Sequence, residues 1–109
     1  MVYAKANGLD VGVMVDSIAT GAAGSAQLNA MAPRILSGNF APGFFIKHFI
    51  KDMKLALTGA NMSGLCLEVL SQALANYEEL AAEGYGDLGT QALMKYYEET
   101  ANDAEEDEE

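Results

Sequence analysis

The chain carries a single cysteine, Cys66, and a single histidine, His48, among its 109 residues. One thiol excludes an internal disulfide framework and any site built from several cysteines, which suits a reducing compartment. One imidazole with no clustered acids beside it leaves no ligand set for a metal. Long apolar runs are also missing: none approaches the roughly 18 residues needed to span a bilayer. The opening MVYAKANGLD lacks the charged-then-apolar order of a signal peptide. The expectation is therefore a cytoplasmic chain without a membrane span. Strand signals are scarce as well, because VGVMV at 11–15 alone is β-branched and alternating, and it contains Gly12. The expected fold class is all-α.

Positive charge is the other scarcity, with six basic residues against 16 acidic ones and a formal charge of -10. Eight of the acids fall in the last 12 residues. That tail, 98–109, holds too little apolar surface to offset its ordering entropy, so it is expected to be disordered. Residues 1–97 remain as one helical domain, half-apolar overall and long enough for a modest core. Four of the six basic residues (Arg34, Lys47, Lys51 and Lys54) gather between positions 34 and 54.

Helix punctuation divides the body. Gly8 closes a first helix, glycine being the residue that takes positive φ without a Cβ clash. Asp10 caps a second helix running to about Thr20, and Ser25 caps a third running to about Met31, where Pro33 ends or restarts it. From Phe44 to about Ser63, Ile46, Phe49, Ile50, Met53, Leu57 and Ala60 form one stripe, and Lys47, Lys51, Lys54 and Thr58 form another. Gly64 closes that helix. The next runs over 67–83, with Val69, Leu70, Ala73, Leu74, Tyr77 and Leu80 available for packing. Gly84 and Gly86 end it, and Asp87 or Thr90 then caps a last amphipathic turn or two.

Each chemically suggestive group has two readings. The three lysines are a solvated face or the wall of a cleft for an anion, since an ammonium supplies a point charge with three donors. His48 and Asp52, four apart, are expected to pair along the helix. Cys66 has no His, Lys or Arg beside it, so a buried, inert thiol is expected. GAAGS at 21–25 follows a helix and lacks the lysine of a phosphate-binding loop. The acidic tail and the small basic cluster speak against nucleic acid as a partner.

The segments GLD at 8–10, GAAGSAQL at 21–28, PRILSGNFAPGFFIKHFIKDMKLAL at 33–57 and GYGDLGTQAL at 84–93 together resemble the C-terminal helical domain of the β-hydroxyacid dehydrogenases. That family contains 3-hydroxyisobutyrate dehydrogenase and tartronate semialdehyde reductase. The resemblance covers residues 2 to about 97 and implies a helical bundle like the C-terminal domain of 6-phosphogluconate dehydrogenase-like enzymes. In such enzymes a Rossmann domain holds NAD or NADP, and the helical domain closes the cleft over a small hydroxy acid and builds a dimer. The resemblance makes Lys51 the cofactor-contacting residue, near the nicotinamide end. It places Phe44 in a segment that lines the cleft and contacts the cofactor, and Ser25 in one that lines the substrate side. Asp52 is left to anchor the helix.

The departures are equally specific. The chain has no G-x-G-x-x-G turn for a pyrophosphate. The family's general-acid lysine belongs to a helix upstream of these residues, and Lys5, with no glycine-rich approach before it and no Asn after it at the right spacing, does not match it. Glu68 stands where relatives often have proline. No catalytic residue and no metal ligand is therefore assigned. The chain by itself is expected to bind no cofactor and to be catalytically silent, as the distal part of a dehydrogenase that self-associates, with the Rossmann domain as its missing partner. The alternative is a stand-alone, non-catalytic helical module for dimerisation or interaction.

Overall fold

Asp10 and Ser25 begin their helices as their side chains allow. In the computed structural model, which describes the backbone of residues 1–107 and the side chains of residues 1–101, Asp10 Oδ1 accepts from the Val13 amide at 3.0 Å and Ser25 Oγ from the Leu28 amide at 2.9 Å. The helices in chain order are α1 (Val2–Ala6), α2 (Val11–Ala19), α3 (Ala26–Leu36), α4 (Ile46–Met62), α5 (Glu68–Leu80) and α6 (Leu93–Asp107). A π turn (Ala81–Tyr85) and a 3-10 turn (Thr90–Ala92) join the last two. No strand forms among the described residues, where the Phe45–Gly89 pair makes an isolated antiparallel bridge. The fold is all-α.

The apolar stripe of α4 makes the core. Ile46 and Met53 pack with Tyr77, Leu80 and Ala92, and Phe49, Ile50, Leu70, Ala73 and Leu74 close around them. Ile46 and Leu80 are fully enclosed, at 0% exposure each. Burial of side chains this size stabilises the fold by about 1.5–3 kcal/mol apiece. Gly64, at φ 73°, turns the chain from α4 back into α5.

The start of α4 is held by backbone. Phe45, at its N-cap, offers no capping side chain. The Ile46 amide instead donates to the Leu88 carbonyl at 2.9 Å and the Lys47 amide to the Gly86 carbonyl at 3.0 Å. Two of the orphan donors of a helix N-terminus are thus satisfied by the segment arriving from the π turn. Gly89 donates to Phe40 and Thr90 to Phe44 in the same seam. Gln91, 6% exposed, donates through Nε2 to the carbonyls of Asn39 at 3.2 Å and Ala41 at 3.0 Å. Its Oε1 is buried without a hydrogen-bond partner among the described residues.

Several expectations are corrected. α3 runs through Pro33 to Leu36, because the Pro33 carbonyl still accepts from Ser37 and the following turn closes through Asn39 to Arg34 at 2.8 Å. Neither Asp87 nor Thr90 caps a helix by its side chain: Gly89 stands at that N-cap, and Asp87 turns to an ion pair described below. Val69 is 85% exposed, lying on a side of α5 that the core does not cover. His48 sets its ring edge-on to Phe45 at 5.4 Å and makes no pair with Asp52. Cys66 is exposed, since the turn between α4 and α5 projects beyond the core. Helix α6 runs from Leu93 to Asp107, and along it Tyr85 Oη donates to Glu99 Oε1 at 3.4 Å and Thr100 Oγ1 to the Tyr96 carbonyl at 2.6 Å. Glu108 and Glu109, the end of the expected disordered tail, lie outside the described residues.

Candidate functional site

Lys47, Lys51 and Lys54 follow one another at four and three residues on α4, which places them along one edge of the helix. Two of them are met by acids from other elements. Lys47 Nζ lies 2.6 Å from Asp87 Oδ1 and 5.1 Å from the centre of the Phe45 ring. Lys54 Nζ lies 3.7 Å from Glu78 Oε1 on α5. Lys51, between them, forms no ion pair or hydrogen bond through its ammonium among the described residues. The three lysines, with Ile50, Leu55 and Thr58, line a shallow groove of about 380 Å³. Exposed ion pairs contribute only about 0–1 kcal/mol to stability. Their effect here is on the charge of the groove, which among the described residues is left with one uncompensated cation.

That arrangement fits one end of a nicotinamide cofactor. An ammonium with three donors on an apolar wall suits a carboxylate, a carboxamide oxygen or a single phosphate. A pyrophosphate is a different demand, since it is met by free amides at a helix N-terminus. The N-termini of α2 and α3 are occupied by Asp10 and Ser25, and that of α4 by the Gly86 and Leu88 carbonyls, while that of α5 has no capping side chain but carries the acidic Glu68 in its first turn, which repels an anion. The residues described here fit the nicotinamide end and not the pyrophosphate.

The three residues singled out from the sequence do not share this groove. Phe44, 43% exposed, packs edge-on to Phe49 at 5.9 Å and lines a larger, apolar cavity of about 600 Å³ together with Met31, Ile35, Tyr77 and Met94. Inside it, burial and then the neighbouring Tyr97 push the Tyr77 phenol up to about 12, and its hydroxyl donates to the Thr90 carbonyl at 2.8 Å. Ser25 is committed to capping α3 and lines neither space.

Asp87, Glu78 and Gln91 shape the site and were not singled out from sequence. Asp87 had a visible signal, an acid between glycines in GYGDLG, and Gln91 another, an amide set directly before the apolar Ala92 and Leu93. Glu78 had none that separates it from Glu79. Among the described residues no three His, Cys, Asp or Glu side chains come together as a metal site, and no helix is long and apolar enough to cross a membrane.

Comparison with known proteins places the chain in a family. Residues 1–97 match the family described as NAD-binding of NADP-dependent 3-hydroxyisobutyrate dehydrogenase. The chain is 48% identical over 97 residues to the uncharacterized oxidoreductase YkwC of Bacillus subtilis (strain 168), covering 89% of this chain and 34% of that protein. It is 43% identical over 102 residues to the probable 3-hydroxyisobutyrate dehydrogenase-like 1, mitochondrial, of Arabidopsis thaliana, covering 94% of this chain and 30% of that one. The fold matches a crystal structure of 3-hydroxyisobutyrate dehydrogenase from Salmonella typhimurium with a TM-score of 0.80 at 24% identity, over 86% of this chain and 33% of the other. The chain thus spans about a third of the length of these relatives. On the match over residues 1–97, the chain belongs to the family of NAD(P)-dependent 3-hydroxyisobutyrate dehydrogenase-like oxidoreductases.

Proposed function

We propose that residues 1–97 form the C-terminal, cleft-closing and dimerisation domain of an NAD(P)-dependent dehydrogenase acting on a small hydroxy acid, with Lys51 as the residue that contacts the cofactor near its nicotinamide. One observation carries this reading: among the described residues, Lys51 alone of the three groove lysines has its charge uncommitted, in a shallow groove of about 380 Å³. The cofactor supplies or accepts the hydride. This chain's part is to hold a polar or anionic group at the Lys51 ammonium and to exclude water with the apolar wall of Ile50 and Leu55. Phe44 and Ser25 serve the wider cleft, Phe44 through the larger cavity and Ser25 by fixing the start of α3.

The test joins this chain to the remaining two thirds of the Bacillus subtilis relative and follows NADPH and NADH fluorescence. Lys51→Ala should weaken cofactor binding about tenfold, the scale of one charge-assisted contact, and leave the unfolding midpoint unchanged. An unaltered affinity overturns the assignment. A second reading, a non-catalytic interaction module, draws on the exposed apolar side chains at the far end of α4 and the start of α5, where Met62 and Val69 are each 85% exposed. It predicts that Val69→Glu shifts the sedimentation of the chain from dimer to monomer while Lys51→Ala does nothing in any binding assay.

A further inference from the structure

The lysine edge holds three cations, yet it is not a strongly positive site. Asp87 reaches Lys47 from the segment that seals α4, and Glu78 reaches Lys54 from α5, so each neutralising acid comes from a different element. Neither pair is buried: the side chains are 53% and 79% exposed in the first and 60% and 47% in the second. Such pairs add little to the fold, and the core is complete without them. What they change is the field in the groove, where three positive charges become a net of one.

We propose that Asp87 and Glu78 are specificity-determining residues, which hold the groove's charge low enough that a multiply charged phosphate gains little over a single carboxylate. The inference rests on the reading of Lys51 as a ligand-contacting residue and goes beyond it by naming the class of anion. A monocarboxylate meets one ammonium and leaves no charge uncompensated. A pyrophosphate in the same place meets the same net charge of one, from three ammoniums and the carboxylates of Asp87 and Glu78, and leaves most of its own charge uncompensated.

Amide shifts of α4 in the full 109-residue chain, followed during titration with sodium acetate and with inorganic pyrophosphate at fixed ionic strength, test the proposal. Wild type should bind pyrophosphate no more than about threefold more tightly than acetate. Removing one carboxylate roughly 7 Å from the anion, in water at about 0.1 M salt, strengthens a monoanion less than twofold and a trianion about fivefold. Asp87→Asn should therefore tighten pyrophosphate about fivefold with little change for acetate, and Glu78→Gln should act in the same direction. A wild-type preference for pyrophosphate above about threefold overturns the proposal, as does an acetate-to-pyrophosphate ratio unmoved by either variant, or no acetate binding at all. Lys51→Ala separates the two levels of argument. If it leaves both affinities intact, the ligand-contacting role of Lys51 fails; if it abolishes binding while Asp87→Asn changes nothing, the charge-setting role alone fails.

Discussion

Tyr77→Phe removes one oxygen from the cavity wall and should make the chain less stable at neutral pH but more stable in strong alkali. Tyr77 is 6% exposed, and its hydroxyl holds the Thr90 carbonyl at 2.8 Å. Losing that bond costs about 1 kcal/mol at pH 7. Alkali acts on the wild type alone. Its folded phenol titrates at about 12, chiefly through burial and then through Tyr97, whereas the unfolded phenol titrates near 10. Between those values the unfolded chain has released a proton that the folded chain keeps, so stability is whole below pH 10 and falls as pH rises. The loss reaches about 1.4 kcal/mol at pH 11 and about 3 kcal/mol once both forms have titrated. Phenylalanine feels none of this. Urea unfolding of the two proteins in parallel from pH 8 to 11.5, in which the other tyrosines and the lysines cancel in the difference, should show the stability gap closing and crossing near pH 11. A gap that stays constant over that range refutes the burial as described, and no gap at pH 8 refutes the bond.

Leu80→Ala should lower the unfolding free energy by about 2–5 kcal/mol, because the fully enclosed side chain leaves a cavity between α4 and α5; urea titration measures it, and a loss below 1 kcal/mol would mean that the core is looser than described. Gly89→Ala drives a methyl group into the Gln91 amide and should cost about 1–3 kcal/mol. It should also speed hydrogen exchange at the Ile46 and Lys47 amides, and unchanged protection there would show that the seam does not depend on Gly89.

What the sequence shows and what it hides divide along the range of the interactions. The capping of α2 by Asp10, the reversal at Gly64 and the two stripes of α4 are local, decided by residues within a few positions of one another, and they are legible as written. The passage of α3 through Pro33 depends on how Asn39 closes the helix end, six residues further on. The exposure of Val69 and Cys66 follows from where α5 lies against its neighbours, which periodicity alone does not fix. The lysine edge was visible, but its charge balance was not, because Asp87 is 40 positions from Lys47 in the chain and Glu78 is 24 from Lys54. Phe44 and Lys51, close in sequence, open onto different spaces because the chain enters α4 between them.

The backbone seam at the head of α4 keeps placement and chemistry apart. The helix is positioned by the carbonyls of Gly86 and Leu88, which any residue could supply, while the carboxylate of Asp87 between them is free to differ. An aspartate codon becomes an asparagine codon by one base change, and that change would alter the groove's appetite for anions without re-aiming a single lysine. The charge along this edge can therefore change in single steps, with the helix it lies on still held by the same backbone bonds.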